Sequence, residues 1–360
     1  MSTFSSDRIP ALPWARCWLL VALLVVPTIG SWELFLRAHG FRATADSTST
    51  WILARSRLAP DSTVFIGTSR ALADLEPLAW QEAYGGPRPI TLAIPGGSLV
   101  PILDDLAAQS WFSGLVIAGV MPIHTFDTSG DADRLVEEPL DSYREASQSP
   151  SRFIEALLNV EVSVRLAFRH PRLSLQTVIG TLLLGHYPQP LVVARRIDGF
   201  TPHDYDRLNA PWTPEAGYLK EKYDWVGGLR RPARGDELAA ILARLKVSIQ
   251  RIQQRGGEVV LVLLPACGGY REAERRLTPR EDYWERAVRE LPAIAIDSYA
   301  HESLTGFPCY DGSHLHMRDA AVYSRNLAAA VKDDLARSER AKLDLTSTSR
   351  RRDTSEVTSR

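Results

Sequence analysis

Apolar positions along this chain repeat with two periods. Five short runs, at residues 63–66, 90–94, 115–120, 258–264 and 293–296, have the length and β-branched content of strands. The run at 115–120 is apolar throughout, the pattern of a strand covered on both faces. Between the runs the period lengthens to that of a helix. Residues 70–84 carry Leu72, Leu75, Leu78 and Ala79 on one stripe, and further helices are predicted at 100–108, 236–255, 279–291 and 318–335. Gly256 and Gly257 mark the end of the third of these. Strands separated by helices predict an α/β fold: a doubly wound, flavodoxin-like parallel sheet of about five strands.

The alternation breaks between residues 125 and 235, which predicts a helical and cap insert within a domain spanning 46–336. Residues 127–141 are acidic and turn-rich and predict a loop, while 151–170 and 173–184 read as helices. Residues 196–225 are polar, aromatic and Pro-bearing, an irregular cap. Its Tyr205, Trp212, Tyr218, Tyr223 and Trp225 would pack the cap onto the sheet or line a sugar groove. Residues 337–360 are rich in Ser, Thr and Arg with few apolar positions, which predicts disorder.

At the other end, residues 17–32 are uncharged and follow Arg8 and Arg16. Glu33 interrupts, and Leu34-Phe35-Leu36 resumes the run. With its flanks this is long enough to cross a bilayer, and Pro27 is tolerated there. Residues 1–45 therefore read as a membrane anchor and stalk, with the rest of the chain exported. A cleaved signal peptide is the rival reading, since Ala43-Thr44-Ala45 offers a small-x-small site, though far beyond the apolar run.

Composition narrows the function. The 360 residues are 45% hydrophobic and 24% charged, with a net charge of -1, so nothing draws the chain to nucleic acid. Lys is rare among the 42 basic residues, a codon bias that points to a GC-rich bacterial genome. Gly96-Gly97 lacks the remaining glycines of a dinucleotide loop, and the three cysteines have no metal-binding spacing, so no cofactor and no metal are expected. In an exported domain Cys267 and Cys309 can bridge.

Two short motifs carry the chemistry. Gly67-Thr68-Ser69 ends the first strand, and Asp311-Gly312-Ser313-His314 precedes the last helix. A serine hydroxyl is a weak nucleophile at neutral pH and needs a base; His314 can supply it, with Asp311 holding the imidazole in the right tautomer. His316 is a rival base two residues on. Taken singly, the first motif is a common turn and the second a helix-capping loop. Together, at the first and last turns of an α/β pattern, they point to catalysis at the carboxyl rim of the sheet.

On these motifs the chain resembles the SGNH/GDSL hydrolase superfamily, over residues 61–335 apart from the insert. The family's nucleophile turn is Gly-Asp-Ser, so Thr68 departs from it; its final Asp-x-x-His block is matched in full by Asp311 and His314. The family's oxyanion glycine falls at Gly96 or Gly97. Its third block, Gly-x-Asn-Asp, has no counterpart: the third strand ends Gly119-Val120-Met121-Pro122, and no Asn occurs before Asn159. His124 is a substitute donor candidate. The resemblance is to the membrane-anchored envelope branch. It implies a serine esterase or O-acyltransferase acting on cell-surface polysaccharide from the outer side of the bacterial inner membrane. The alternative is a catalytically degenerate carbohydrate-binding or assembly protein that keeps the fold and works with other envelope proteins.

Overall fold

The computed structural model describes residues 14–183, 193–206 and 231–357. Trp212, Tyr218, Tyr223 and Trp225 lie outside them. The described residues form two compact units: 14–44 with 165–183, and 45–164 with 193–206 and 231–357.

The larger unit holds the sheet. Its strands are β1 (Thr63–Gly67), β2 (Ile90–Thr91), β3 (Leu115–Val120), β4 (Glu258–Leu263) and β5 (Ile294–Asp297). All neighbours pair in parallel, in the order β2-β1-β3-β4-β5. The β2 ladder extends past Thr91, because Leu92 N–H donates to Phe65 O at 2.8 Å and Ile94 N–H to Gly67 O at 3.0 Å. Alternate side chains of each strand feed two cores. Val64, Ile66, Val116, Ala118, Val259 and Leu261 meet one set of helices: α2 (Ser47–Ser56), α5 (Val100–Ala108), α10 (Gly235–Gln253) and α12 (Trp284–Glu290). Phe65, Ile117, Val260 and Val262 meet another: α3 (Ser69–Asp74), α4 (Pro77–Tyr84) and α13 (Met317–Val357). Each fully buried aliphatic side chain contributes about 1.5–3 kcal/mol, so the sheet is held from both sides.

The helix expected over 70–84 is two helices. Pro77 bars Glu76 from helical backbone, and Glu76 instead caps α4, its carboxylate accepting from Ala79 N–H at 3.0 Å. The loop expected at 127–141 is contradicted: α7 spans Asp131–Gln148. Its Ala132, Val136 and Leu140 are buried at i, i+4 and i+8, a stripe hidden in the sequence by the acidic residues around it. Asp131 and Asp133 suit a helix start, where the free backbone amides favour negative charge. α8 (Pro150–Ser163) is shorter than its prediction and gives way to 3-10 turns at Ala167–Arg169 and Pro171–Leu173. α13 runs on through the segment where disorder is expected; residues 336–345 are mostly good helix formers, without Gly or Pro.

The smaller unit is α1 (Trp14–Ala38) with the two 3-10 turns and α9 (Leu175–Leu183). α1 is 25 residues long and almost wholly exposed along its apolar length. Glu33, the one acid that breaks the apolar run, has a structural task. Its carboxylate accepts from Ala167 N–H at 2.8 Å and Phe168 N–H at 3.1 Å, and pairs with Arg37 at 2.7 Å. Leu36, Phe41 and Ala167 close a small core beside it. Residues 165–183, which the sequence assigns to the insert, thus belong with the anchor helix.

Candidate active site

Ser69 is the first residue of α3, directly after the turn that ends β1. The turn depends on glycine: Gly67 has φ +140°, and a Cβ there would sit 2.7 Å from Gly119 O on the neighbouring strand. Thr68, where the family pattern has Asp, caps α3 by accepting from Arg70 N–H, and its hydroxyl lies 3.5 Å from Met121 Sδ. Ser69 is half-buried.

His314 Nε2 lies 2.9 Å from Ser69 Oγ, and His314 Nδ1 lies 2.8 Å from Asp311 Oδ2. The other carboxylate oxygen of Asp311 accepts from the Ser313 and His314 amides at 2.9 and 2.8 Å. A carboxylate so bonded is an acceptor at Nδ1, which leaves the neutral imidazole's lone pair on Nε2, facing the serine. Asp311 and His314 are both buried. The structure therefore brings Ser69, Asp311 and His314 together as the sequence expects. It leaves His316 aside, with Nδ1 accepting from Arg318 N–H and Nε2 3.6 Å from Asp206.

The turn carrying Asp311 and His314 is fastened to α3 at two points one helical turn apart. Arg70 Nε donates to Ser313 Oγ at 3.2 Å, and Asp74 Oδ1 accepts from Leu315 N–H at 2.9 Å. Arg70 is fully buried, and its two terminal nitrogens meet both oxygens of Glu274 on α11 (Gly268–Leu277) at 2.8 and 3.2 Å. Burial alone would lower the Arg70 pKa; its surroundings, the Glu274 carboxylate foremost and then Tyr270 and Tyr299, more than offset this and raise it, so the guanidinium stays charged. Burial also raises Glu274 above the usual carboxylate value, against the pull of Arg70. Tyr270, beneath the Arg70 guanidinium, is pushed up by burial to about 12. On its far side the turn is bridged: Cys309 and Cys267 form a disulfide with Cα atoms 5.6 Å apart, and Cys267 N–H donates to Gly312 O at 2.9 Å.

Two loops flank the serine turn in the sheet order, those after β2 and β3. They carry the residues considered as oxyanion donors. His124 is buried on the short α6 (Pro122–Thr125), its Nδ1 3.0 Å from Gly96 O. A carbonyl only accepts, so Nδ1 carries the proton and the neutral ring's Nε2 is an acceptor. The Gly97 amide donates to Ile94 O at 3.0 Å, closing the turn in which Gly96 sits at φ +71°. A Cβ on Gly97 would meet Val136 at 2.8 Å, so α7 packs directly on this turn.

Three contributors escape a sequence reading: Arg70, Glu274 and His203. The His203 ring stacks on His314, with centroids 4.4 Å apart and planes 18° from parallel. Its backbone carbonyl accepts from Met317 N–H, and its Nδ1 donates to Thr201 O. Tyr205, from the same strap, stacks on Tyr310. Two groups have ligating atoms within 4.8 Å of one another, His203 with Asp311 and His314, and Asp204 with Asp206 and His316. In the first, the imidazole and carboxylate already bond to each other and to Ser69. No protein-family model and no curated protein matches this chain.

Proposed function

We propose that the chain is a serine esterase or O-acyltransferase of the bacterial envelope, of the SGNH/GDSL type. Its frame is a doubly wound, flavodoxin-like sheet, a reading supported by the strand order and by helices on both faces. The observation that carries the proposal is the unbroken chain from Ser69 through His314 to Asp311. Ser69 Oγ attacks the acyl carbonyl while His314 Nε2 takes its proton. The tetrahedral intermediate collapses, the C–O bond to the leaving alcohol breaks, and His314 returns the proton to that oxygen. Water then attacks the acyl-serine, giving an esterase, or a sugar hydroxyl does, giving a transferase. Asp311 holds Nδ1–H throughout and stabilises the imidazolium. Acylated surface polysaccharide is the substrate class.

α1 is proposed as a single-pass anchor in the inner membrane, with the larger unit outside the cytoplasm. Its exposed apolar length supports this, as do Trp14 and Trp18 near one end and Trp32 near the other, where indoles favour the headgroup level. The Cys267–Cys309 bridge fits an oxidising compartment. Protease digestion of the domain in spheroplasts supports the orientation; protection there, with digestion in inverted vesicles, reverses it.

A fluorophosphonate probe tests the chemistry on the full chain. Labelling is expected in the wild type and in His316→Ala, and lost in Ser69→Ala. The competing reading, a binding or assembly protein, draws on Met121 at the end of β3 and on the Gly97 amide already used within its turn. A folded wild-type chain that takes no label decides for it.

A further inference from the structure

We propose that α9 lies in the membrane interface beside the anchor, so that the chain meets the bilayer twice. The inference rests on the reading of α1 as a spanning helix. Along α9 the apolar residues Leu175, Val178, Ile179, Leu182 and Leu183 fall at i, i+3, i+4, i+7 and i+8, a complete helical stripe. Yet the stripe is not covered: Leu175 is 76% exposed, Ile179 49%, Leu182 51% and Leu183 82%. No Asp, Glu, Lys or Arg occurs between Arg172 and Arg195. A soluble protein rarely leaves such a stripe in water; an interfacial helix presents one to acyl chains.

Position within the smaller unit identifies the occupant. The chain leading into α9 is fastened to the last turns of α1 by the Glu33 carboxylate, which receives the Ala167 and Phe168 amides, and by Arg37, which donates to Arg165 O at 2.6 Å. Those are also the turns where Trp32 and Phe35 stack, exposed, at 5.4 Å. If α1 spans, this level is the headgroup boundary, and α9 begins only a few residues from it. The chain leaves the larger unit after Val164 and is back in it by Val193, so a segment that departs from and returns to one side of the bilayer lies in the interface rather than crossing once. Arg165 and Arg169 precede it, both exposed, and suit anionic headgroups.

Depth-dependent quenching on the full chain decides it. In a Cys17→Ser background, Ile179→Cys and Leu182→Cys are labelled with an environment-sensitive fluorophore, with Leu23→Cys in α1 as reference. The protein is reconstituted into phosphatidylcholine–phosphatidylglycerol vesicles carrying nitroxide either just below the headgroup or at the chain end. The α9 probes are expected to lose about half their emission to the shallow nitroxide and little to the deep one, matching burial of about 5–10 Å. The Leu23 probe should respond to the deep one. If Leu23 responds and the α9 probes respond to neither nitroxide, the inference falls while the anchor stands; a shielded but unquenched α9 would then mean contact with a second copy. If Leu23 also fails to respond, the anchor reading falls and takes the inference with it. Deep quenching of α9 overturns the interfacial placement.

Discussion

The two sides of the serine turn are built to different standards. On one side, the Asp311–His314 turn is bonded at every step. Asp311 bonds through both of its oxygens, α3 grips the turn through Arg70 and Asp74, and a disulfide closes the back. On the other side, His124 of the β3 loop bonds Gly96 O of the β2 loop, and the Gly97 amide closes its own turn on Ile94 O. On the proposed reading, proton transfer is the prearranged part, and the groups considered as oxyanion donors are the less prepared one. Catalysis needs both, and preorganised donors usually contribute more than any other single effect.

The sharpest break of this comparison is removal of the proton relay. Ser69→Ala and His314→Ala are each expected to lower ester turnover at least about 10⁴-fold, with little change in the unfolding midpoint, because triad members act as a unit. Steady-state kinetics beside thermal melts check this, and a His314→Ala variant with wild-type turnover would end the assignment. Next in size is Glu274→Ala, which strands the Arg70 charge in the core. A loss of about 3–5 kcal/mol in denaturant unfolding is expected, with a smaller loss for Glu274→Gln. Equal losses for the two variants would mean the charge pairing is unimportant. Breaking the Cys267–Cys309 bridge as the double Ser variant should cost about 2–4 kcal/mol, read as a lower midpoint against the oxidised wild type.

His124→Ala probes the other side. Since Nδ1–H is committed to Gly96 O, kcat should fall far less than the 10²–10³ lost with a direct oxyanion donor. A loss within that range would make His124 itself the donor, as an imidazolium. The smallest effect concerns Tyr270, whose phenol is held by burial at about 12 against an ordinary 10.0. The folded state keeps this proton where the unfolded chain releases it. Its contribution is therefore full below pH 10 and fades as pH rises to about 12. Tyr270→Phe should flatten that alkaline decline in urea titrations; an unchanged slope would assign it elsewhere.

The sequence carries the strands and the three reacting groups legibly, because both are local signals. A continuous apolar run such as Leu115–Val120 has one good use, and Asp311 reaches His314 within a single turn. What supports them is not local. Arg70 finds Glu274 across 204 positions, and His203 meets His314 by stacking, for which no spacing rule exists. α7 is obscured for a different reason: Pro139 and six acids mask a stripe that packing on the Gly97 turn reveals. Residues 165–183 read with the insert because what ties them to α1 is Glu33, which in sequence looks like a flaw in an apolar run, and Arg37 beyond it.

Ser69 and His314 are 245 positions apart, so the two halves of the relay are separated in time as well as in sequence. At about 5–20 residues per second, the ribosome makes Ser69 roughly 12–50 s before His314. During that interval the hydroxyl has no imidazole beside it and is an ordinary alcohol. On the proposed reading, a chain anchored by its N-terminus and exported would gain its base only after that delay, so the order of the residues would act as a safety catch on the chemistry.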